Sequence, residues 1–178
     1  MCQFNNIVLP ANTNFEEVKD VFRQNDFAPL EIQNDSLHKQ LPEKIFVIST
    51  KYQCDCGSVI SSAENKNTLI SLRDKESAKL KRKGWSETKI NNYFKNKAKA
   101  DSNQVNNIDQ DRTRWNNFIN ELLVTSNVKS IGILAHWYEG DITTEKINIV
   151  SKCKINFVDF KPEKLDNFQK DIYYEIQA

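Results

Sequence analysis

Two cysteines separated by a single residue stand in the segment KYQCDCGSVI, which spans residues 51–60. Thiolate sulfurs at this spacing can approach the same metal ion. The glycine that follows, Gly57, can adopt the left-handed backbone that turns amide groups toward sulfur. An internal disulfide between Cys54 and Cys56 is disfavoured, because it would close a strained ring. The segment therefore indicates a metal site, with a reactive thiol site or plain structural cysteines as the alternatives.

A tetrahedral structural zinc site needs four ligands, so two more must come from elsewhere in the chain. Cys2 begins the first predicted strand, and His136 lies in a predicted central strand, SIGILAHWY. Both could reach the cysteine pair if the strand before the pair lies beside these two strands. Thiolates are soft ligands that suit zinc. The predicted cofactor is therefore zinc, and the predicted metal ligands are Cys2, Cys54, Cys56 and His136.

Cys2 also allows a different chemistry. If the initiator methionine is removed, an N-terminal cysteine can act as a nucleophile with its own α-amine as the base. In this respect the start of the chain resembles the class II glutamine amidotransferases, which use such a cysteine. The resemblance covers only Met1 and Cys2, because the family's next residue is glycine, where this chain has Gln3, and no glycine follows an asparagine as in its Asn-Gly element. An N-terminal-cysteine hydrolase is thus an alternative function.

The composition excludes several classes of enzyme and partner. The four glycines are too few and too scattered for a Walker loop, a dinucleotide-binding fingerprint or a nucleophile elbow. The two histidines do not form the His-Glu-x-x-His pair of zinc proteases. With 25 basic and 24 acidic residues, the net charge of +1 provides no global field for a polyanion or an anionic membrane.

The length and the N-terminal sequence predict one soluble cytoplasmic domain over residues 1–178. A chain of 178 residues can bury a core without disulfides. The start lacks a basic leader followed by an apolar run, and no run of about 18 apolar residues occurs. No contact with a membrane is expected. In the reducing cytoplasm the cysteines remain thiols, thiolates or metal ligands.

Hydrophobic periodicity predicts an α+β fold with a mostly antiparallel sheet. An amphipathic helix follows Asn14, which we expect to form a capping box with Glu17. A short helix is expected near Pro162. The segment EKINIVSKCKINFVDF alternates, which predicts a half-buried strand with Cys153 facing the core. The other predicted strands are CQFNNIVLP, EKIFVIST, SIGILAHWY and DIYYEI.

A helical, lysine-rich insertion over residues 73–125 is expected to pack on one face of the sheet. Its first part, residues 73–99, has ten basic and three acidic residues and is interrupted at Gly84. After a polar connector, apolar residues recur with helical spacing over residues 108–123. The lysines and the interleaved aromatic residues allow binding of nucleic acid or an acidic partner as an alternative function, although a solvated helix face is the favoured interpretation. The candidate nucleic-acid-binding residues are Lys79, Lys81, Lys83 and Lys89.

His136 has a second interpretation, because Glu139 and Asp141 follow it closely in the sequence. A histidine beside carboxylates can serve as a general base or as part of an acidic metal site. A histidine inside a strand is more often simply hydrogen-bonded to its neighbours. Between these two interpretations, we therefore favour a hydrogen-bonded histidine over an acidic site with Glu139 and Asp141.

Several motifs together resemble a family of bacterial proteins of similar length that has no established activity. The matching stretches are MCQF, CDCGS, RKGWSETKI, AHWYEG and DIYYEI. The resemblance implies one intact domain and an association of Cys2, Cys54, Cys56 and His136, and it implies no reaction. The function expected from the sequence is accordingly a cytosolic protein with a cysteine-centred zinc site.

Overall fold

A six-stranded sheet forms the centre of the protein in a computed structural model, with the strand order β2-β3-β1-β4-β6-β5. The structure describes residues 2–49, 54–60, 76–125 and 128–178, with the backbone alone for residues 95–107 and 125. Neighbouring strands are antiparallel except β5 and β6, which are parallel. This arrangement confirms the predicted α+β fold. The strands are β1 (Cys2–Pro10), β2 (Leu30–Ile32), β3 (Lys44–Ile48), β4 (Ser130–Tyr138), β5 (Ser151–Asn156) and β6 (Ile172–Gln177).

The longest helix differs from the prediction, because no connector divides it. It runs without interruption for 39 residues, and its sequence contains neither glycine nor proline that could break it. The predicted break before it is confirmed, since Gly84 has a φ of +76° and residues 76–82 form a separate helical segment. The helices are α1 (Phe15–Gln24), α2 (Asp35–Gln40) and α3 (Glu87–Thr125), followed by 3-10 helices at Phe157–Asp159 and Pro162–Asn167.

The two faces of the sheet bury different helices. On one face, Ile7 and Ile133 from the central strands pack with Trp115 and Phe118 of α3 and with Phe22 of α1. The opposite face packs against α2, where Leu37 belongs to a cluster with Phe46 and Leu134. The C-terminal half of α3 therefore lies on one face of the sheet, as expected, and α2 adds an unpredicted layer on the other.

The alternating segment 145–160 is a strand only from Ser151 to Asn156. The residues before it are held by side chains of α2: Gln40 bonds the carbonyl of Ile147 at 2.7 Å and the amide of Ile149 at 2.8 Å. These bonds replace a strand ladder and place Ile147 in the second core cluster. The prediction that Cys153 faces the core was wrong, because Cys153 is exposed on the edge strand β5.

The start of α1 also differs in detail from the expected capping box. Asn14 occupies the N-cap position, but its side chain makes no capping bond to the helix backbone. Its amide nitrogen instead donates to the Glu17 carboxylate at 2.7 Å. In the part of the chain that the structure describes, no helix has the length and apolarity needed to cross a membrane.

Candidate metal centre

The loop of residues 54–60 docks on the first part of β1. On that side, the ladder between β1 and β3 begins at Asn6 within the described residues, and the backbone groups of Gln3 and Asn5 bond the loop. The carbonyl of Gln3 accepts from the Asp55 amide at 2.7 Å, and the Asn5 amide donates to the Asp55 carboxylate at 2.7 Å. The cysteines on either side of Asp55 are thereby brought to the start of β1, where Cys2 lies.

Three cysteine sulfurs converge at this point. The Sγ atoms of Cys2, Cys54 and Cys56 all lie within 4.8 Å of one another, and those of Cys54 and Cys56 are 2.7 Å apart. Regular tetrahedral coordination with Zn–S bonds of about 2.3 Å separates the sulfurs by about 3.8 Å. Cys54 is half-buried, whereas Cys2 and Cys56 are exposed. The group has the size of a metal site and is open to solvent.

The local hydrogen bonds make the two loop thiols unequal. The hydrogen bond from the Cys56 thiol, with that from the Cys56 backbone amide, lowers the pKa of Cys54. Burial, together with the neighbouring Cys54 thiol, raises the pKa of Cys56. Cys54 is therefore the first of the pair to lose its proton. A metal ion needs thiolates, so the arrangement prepares one ligand before the metal arrives.

Backbone amides reach the sulfurs differently from the prediction. Gly57 was expected to supply a left-handed turn, yet among the described glycines only Gly84 has a positive φ. The amide of Gln3 on β1 instead donates to the Cys56 sulfur at 3.4 Å. The strand, rather than a glycine turn, therefore supplies the donor that stabilises negative charge on this sulfur.

Helix α3 anchors the far end of the cysteine loop. The Asp111 carboxylate accepts from the Val59 amide at 2.7 Å and from the Ser58 hydroxyl at 3.1 Å. The Trp115 indole also donates to the Ser58 hydroxyl, at 3.2 Å, and Ile60 is buried in the core. The sequence prediction missed Asp111. The available signal was its position one helical turn before Trp115, a carboxylate beside an otherwise apolar stripe.

Asp55 is the half-buried acidic residue of the loop. Burial raises the pKa of its carboxyl to about 7, against the opposing effect of the hydrogen bond from Asn5. Gln3 is buried, and its side-chain amide donates to the Ile60 carbonyl at 3.3 Å. The two ends of the loop are therefore fixed by polar contacts inside the protein, whereas the cysteines remain at the surface.

The role of the three cysteines is inferred from their geometry and not from similarity to known proteins. No family model, curated protein or solved structure matches the chain. Within the described residues, Cys2, Cys54 and Cys56 are the group of histidine, cysteine and acidic side chains close enough to share a metal ion. A cysteine cluster at metal-binding distance is thus present, as the sequence predicted for these three residues.

His136 lies outside this group, because its ring nitrogens do not fall within 4.8 Å of all three sulfurs. Its Nδ1 is 2.5 Å from the Asp171 carboxylate and its Nε2 is 3.4 Å from Glu145. The acidic partners therefore differ from Glu139 and Asp141, which the sequence suggested. Asp171 was missed because it is 35 residues away in the chain. The structure gives no support to His136 as the fourth ligand.

In the described part of the lysine-rich region, the four candidate lysines lie at the surface and the aromatic residues pack on one another. Lys79, Lys81, Lys83 and Lys89 are exposed. The rings of Trp85 and Tyr93 meet edge to face at 6.0 Å, and the Tyr93 hydroxyl donates to Glu76 at 2.7 Å. Aromatic rings engaged in this way favour helix docking over base stacking.

Proposed function

We propose that the protein binds a zinc ion through Cys2, Cys54 and Cys56. The observation that carries the proposal is the convergence of three sulfurs within 4.8 Å of one another, one on β1 and two on a loop that the backbone of β1 holds in place. In the cytoplasm these thiols stay reduced and available to metal. A fourth position remains for water or an external ligand, as in zinc sites that bind or activate other molecules.

Elemental analysis of purified, untagged, reduced protein tests this proposal. We expect about one zinc per chain, because three soft thiolates form a tight site. Replacement of the zinc by Co²⁺ should give the thiolate-to-metal absorption of several sulfur ligands. Cys153→Ser is the matched control, since it removes an exposed thiol that is outside the group. Folded protein that is metal-free and takes up no zinc on titration would refute the proposal.

The alternative in which Cys2 is a hydrolytic nucleophile has less support. Its sulfur lies within 4.8 Å of two other thiols, whereas such a nucleophile needs a base and a donor pair for the oxyanion. The nearby amide of Gln3 donates to the Cys56 sulfur instead. The surroundings of Cys2 thus fit a metal ligand better than a nucleophile.

A further inference from the structure

The distance between the Cys54 and Cys56 sulfurs is intermediate between that of a disulfide and that of two sulfurs on one zinc ion. At 2.7 Å, it is longer than a disulfide bond of about 2.05 Å. It is also shorter than the separation of about 3.8 Å expected for two sulfurs on one tetrahedral zinc ion. The two sulfurs are thus already in contact, so an internal disulfide needs no approach of a distant partner, although the ring that it closes is strained.

We propose that the metal site is gated by oxidation: a hydroperoxide converts Cys54 and Cys56 into an internal disulfide, and the zinc ion leaves. This inference depends on the proposed zinc site. Two of the three protein ligands are lost in the reaction, and Cys2 alone cannot retain the ion. The cluster would then hold zinc in reducing conditions and release it under oxidative stress.

The chemistry begins at the more accessible sulfur. Both loop cysteines are thiolates when they bind zinc, so access decides which reacts, and Cys56 is exposed whereas Cys54 is half-buried. The Cys56 sulfur attacks a peroxide oxygen and breaks the O–O bond, which gives a sulfenic acid and leaves the other oxygen as alkoxide or hydroxide. Cys54 then attacks the Cys56 sulfur and displaces hydroxide.

The step balances with the peroxide as the only oxidant. The two sulfurs lose two electrons and form one S–S bond, while the peroxide gains two electrons and loses its O–O bond. Two protons from solvent convert the two oxygen leaving groups into water, or into water and an alcohol for an organic hydroperoxide. A dithiol returns the two electrons by thiol–disulfide exchange, and a strained disulfide is readily reduced.

The anchors of the loop allow this change without unfolding. Val59 and Ser58 are bonded to Asp111, and Ile60 is buried, so the part after Cys56 is fixed independently of the sulfurs. Asp55, which lies between the two cysteines, is bonded to the backbone of β1. The change is therefore confined to the loop, and the sheet is expected to keep its structure.

Zinc-loaded protein treated with hydrogen peroxide tests the inference. A chromophoric chelator reports released zinc, and mapping of the tryptic peptide 52–66 reports the disulfide. We expect equal amounts of zinc and disulfide, with zinc binding restored by dithiothreitol and Cys153→Ser behaving as wild type. Cys56→Ser should form no internal disulfide within that peptide, whereas Cys2→Ser should still form it.

Two results would overturn the inference. One is zinc retention at peroxide concentrations that oxidise the exposed Cys153. The other is zinc release in which Cys2, rather than Cys54, is joined to Cys56, or in which the products are sulfinic acids. The same oxidation of metal-free protein separates this inference from the zinc proposal. If the protein forms the disulfide but cannot bind zinc, the zinc site is refuted, and the gating is refuted with it.

Discussion

Two polar clusters lie close together on the β1–β4 pair, and they differ in what their ligating atoms contact. In the ladder Cys2 is opposite Tyr138, and Phe4 is opposite His136. Both nitrogens of His136 are bonded to carboxylates of the protein itself. The sulfurs of the cysteine cluster face one another at the surface. The nitrogens of His136 already have partners within the protein, which indicates a structural role. The three sulfurs converge on one point, which indicates a binding site.

The contacts of the histidine cluster show what it connects. Asp171, which has a left-handed backbone with φ of 61°, bonds His136 through its side chain and the Ala135 carbonyl through its amide. The hydrogen bond from the Gly140 amide, followed by those from Glu139 and His136, lowers the pKa of Glu145. The cluster thereby ties β4 to the turn after it and to the segment that enters β6.

The largest expected difference between the clusters is in zinc affinity. Cys54→Ser should weaken zinc binding by more than the roughly 10–100-fold that follows loss of a supporting outer contact, because it removes a ligand. His136→Gln should leave the affinity within about threefold of wild type, since the histidine sits outside the sulfur group. Competition titration against a chelator measures both. If the two variants lost zinc affinity equally, His136 would be a ligand, and the two clusters would not differ in function.

The anchor of the cysteine loop should have the next largest effect. Asp111→Asn should lower zinc affinity by about 10–100-fold. Its carboxylate accepts from Ser58, Val59 and Arg114, and an amide would turn a donor toward at least one of these donors. Asp109→Asn is the matched control, because Asp109 is an exposed carboxylate on the same helix that pairs with Arg112. If Asp111 does not influence the metal site, Asp111→Asn and Asp109→Asn will bind zinc with the same affinity, and the prediction is wrong.

The histidine cluster should instead affect folding. His136→Gln should lower the free energy of unfolding by about 1–3 kcal/mol, because a glutamine cannot satisfy carboxylates on both sides. Asp141→Asn, an exposed change in the neighbouring turn, should change it by less than about 0.5 kcal/mol. Urea denaturation of the metal-free proteins measures the effect. Stability unchanged in His136→Gln would contradict the structural role.

The sequence predicted the features that depend on local patterns and missed those that depend on distant contacts. The cysteine spacing indicated a metal site, and short apolar runs identified the central strands. The contacts of His136 with Asp171 and of Asp111 with Ser58 join residues 35 and 53 positions apart, so no local pattern reveals them. The exposed position of Cys153 was missed for a similar reason, because the place of β5 at the edge of the sheet depends on its pairing with the distant strand β6.

A third polar cluster, the ion pair of Lys44 and Glu175, provides a test by pH. Burial alone would raise the pKa of Glu175, but the hydrogen bond and charge of Lys44 lower it overall. A carboxylate with a lowered pKa in the folded state stabilises the protein above its unfolded pKa, and this contribution disappears as the pH falls through the folded value. Glu175→Gln should therefore be less stable than wild type at pH 7.

The difference should shrink below about pH 4, near the value of an unfolded glutamate. Thermal unfolding of Glu175→Gln and wild type between pH 3 and pH 7 provides the measurement. Glu16→Gln is the control, because the Glu16 side chain is 78% exposed and should show little dependence on pH. A gap between Glu175→Gln and wild type that stays constant across this range would rule out the ion pair as its source.

The smallest effect is expected at the lysine-rich region, where the four candidate lysines are exposed and which contains no cysteine. Reversal of Lys79, Lys81, Lys83 and Lys89 to glutamate should leave zinc content and fold nearly unchanged, because each exposed charge contributes little. Two of the four contact neighbouring residues: Lys81 pairs with Glu87 at 3.4 Å, and the Lys89 ammonium lies 4.3 Å from the centre of the Trp85 ring. Wild-type protein should bind single- or double-stranded nucleic acid weakly or not at all, since the region's aromatic rings pack on one another. Fluorescence anisotropy with both kinds of nucleic acid, measured over a range of salt concentrations, checks this. Tight binding that falls steeply with salt and is abolished by the four substitutions would show that this region, rather than the cysteine site, carries the main interaction.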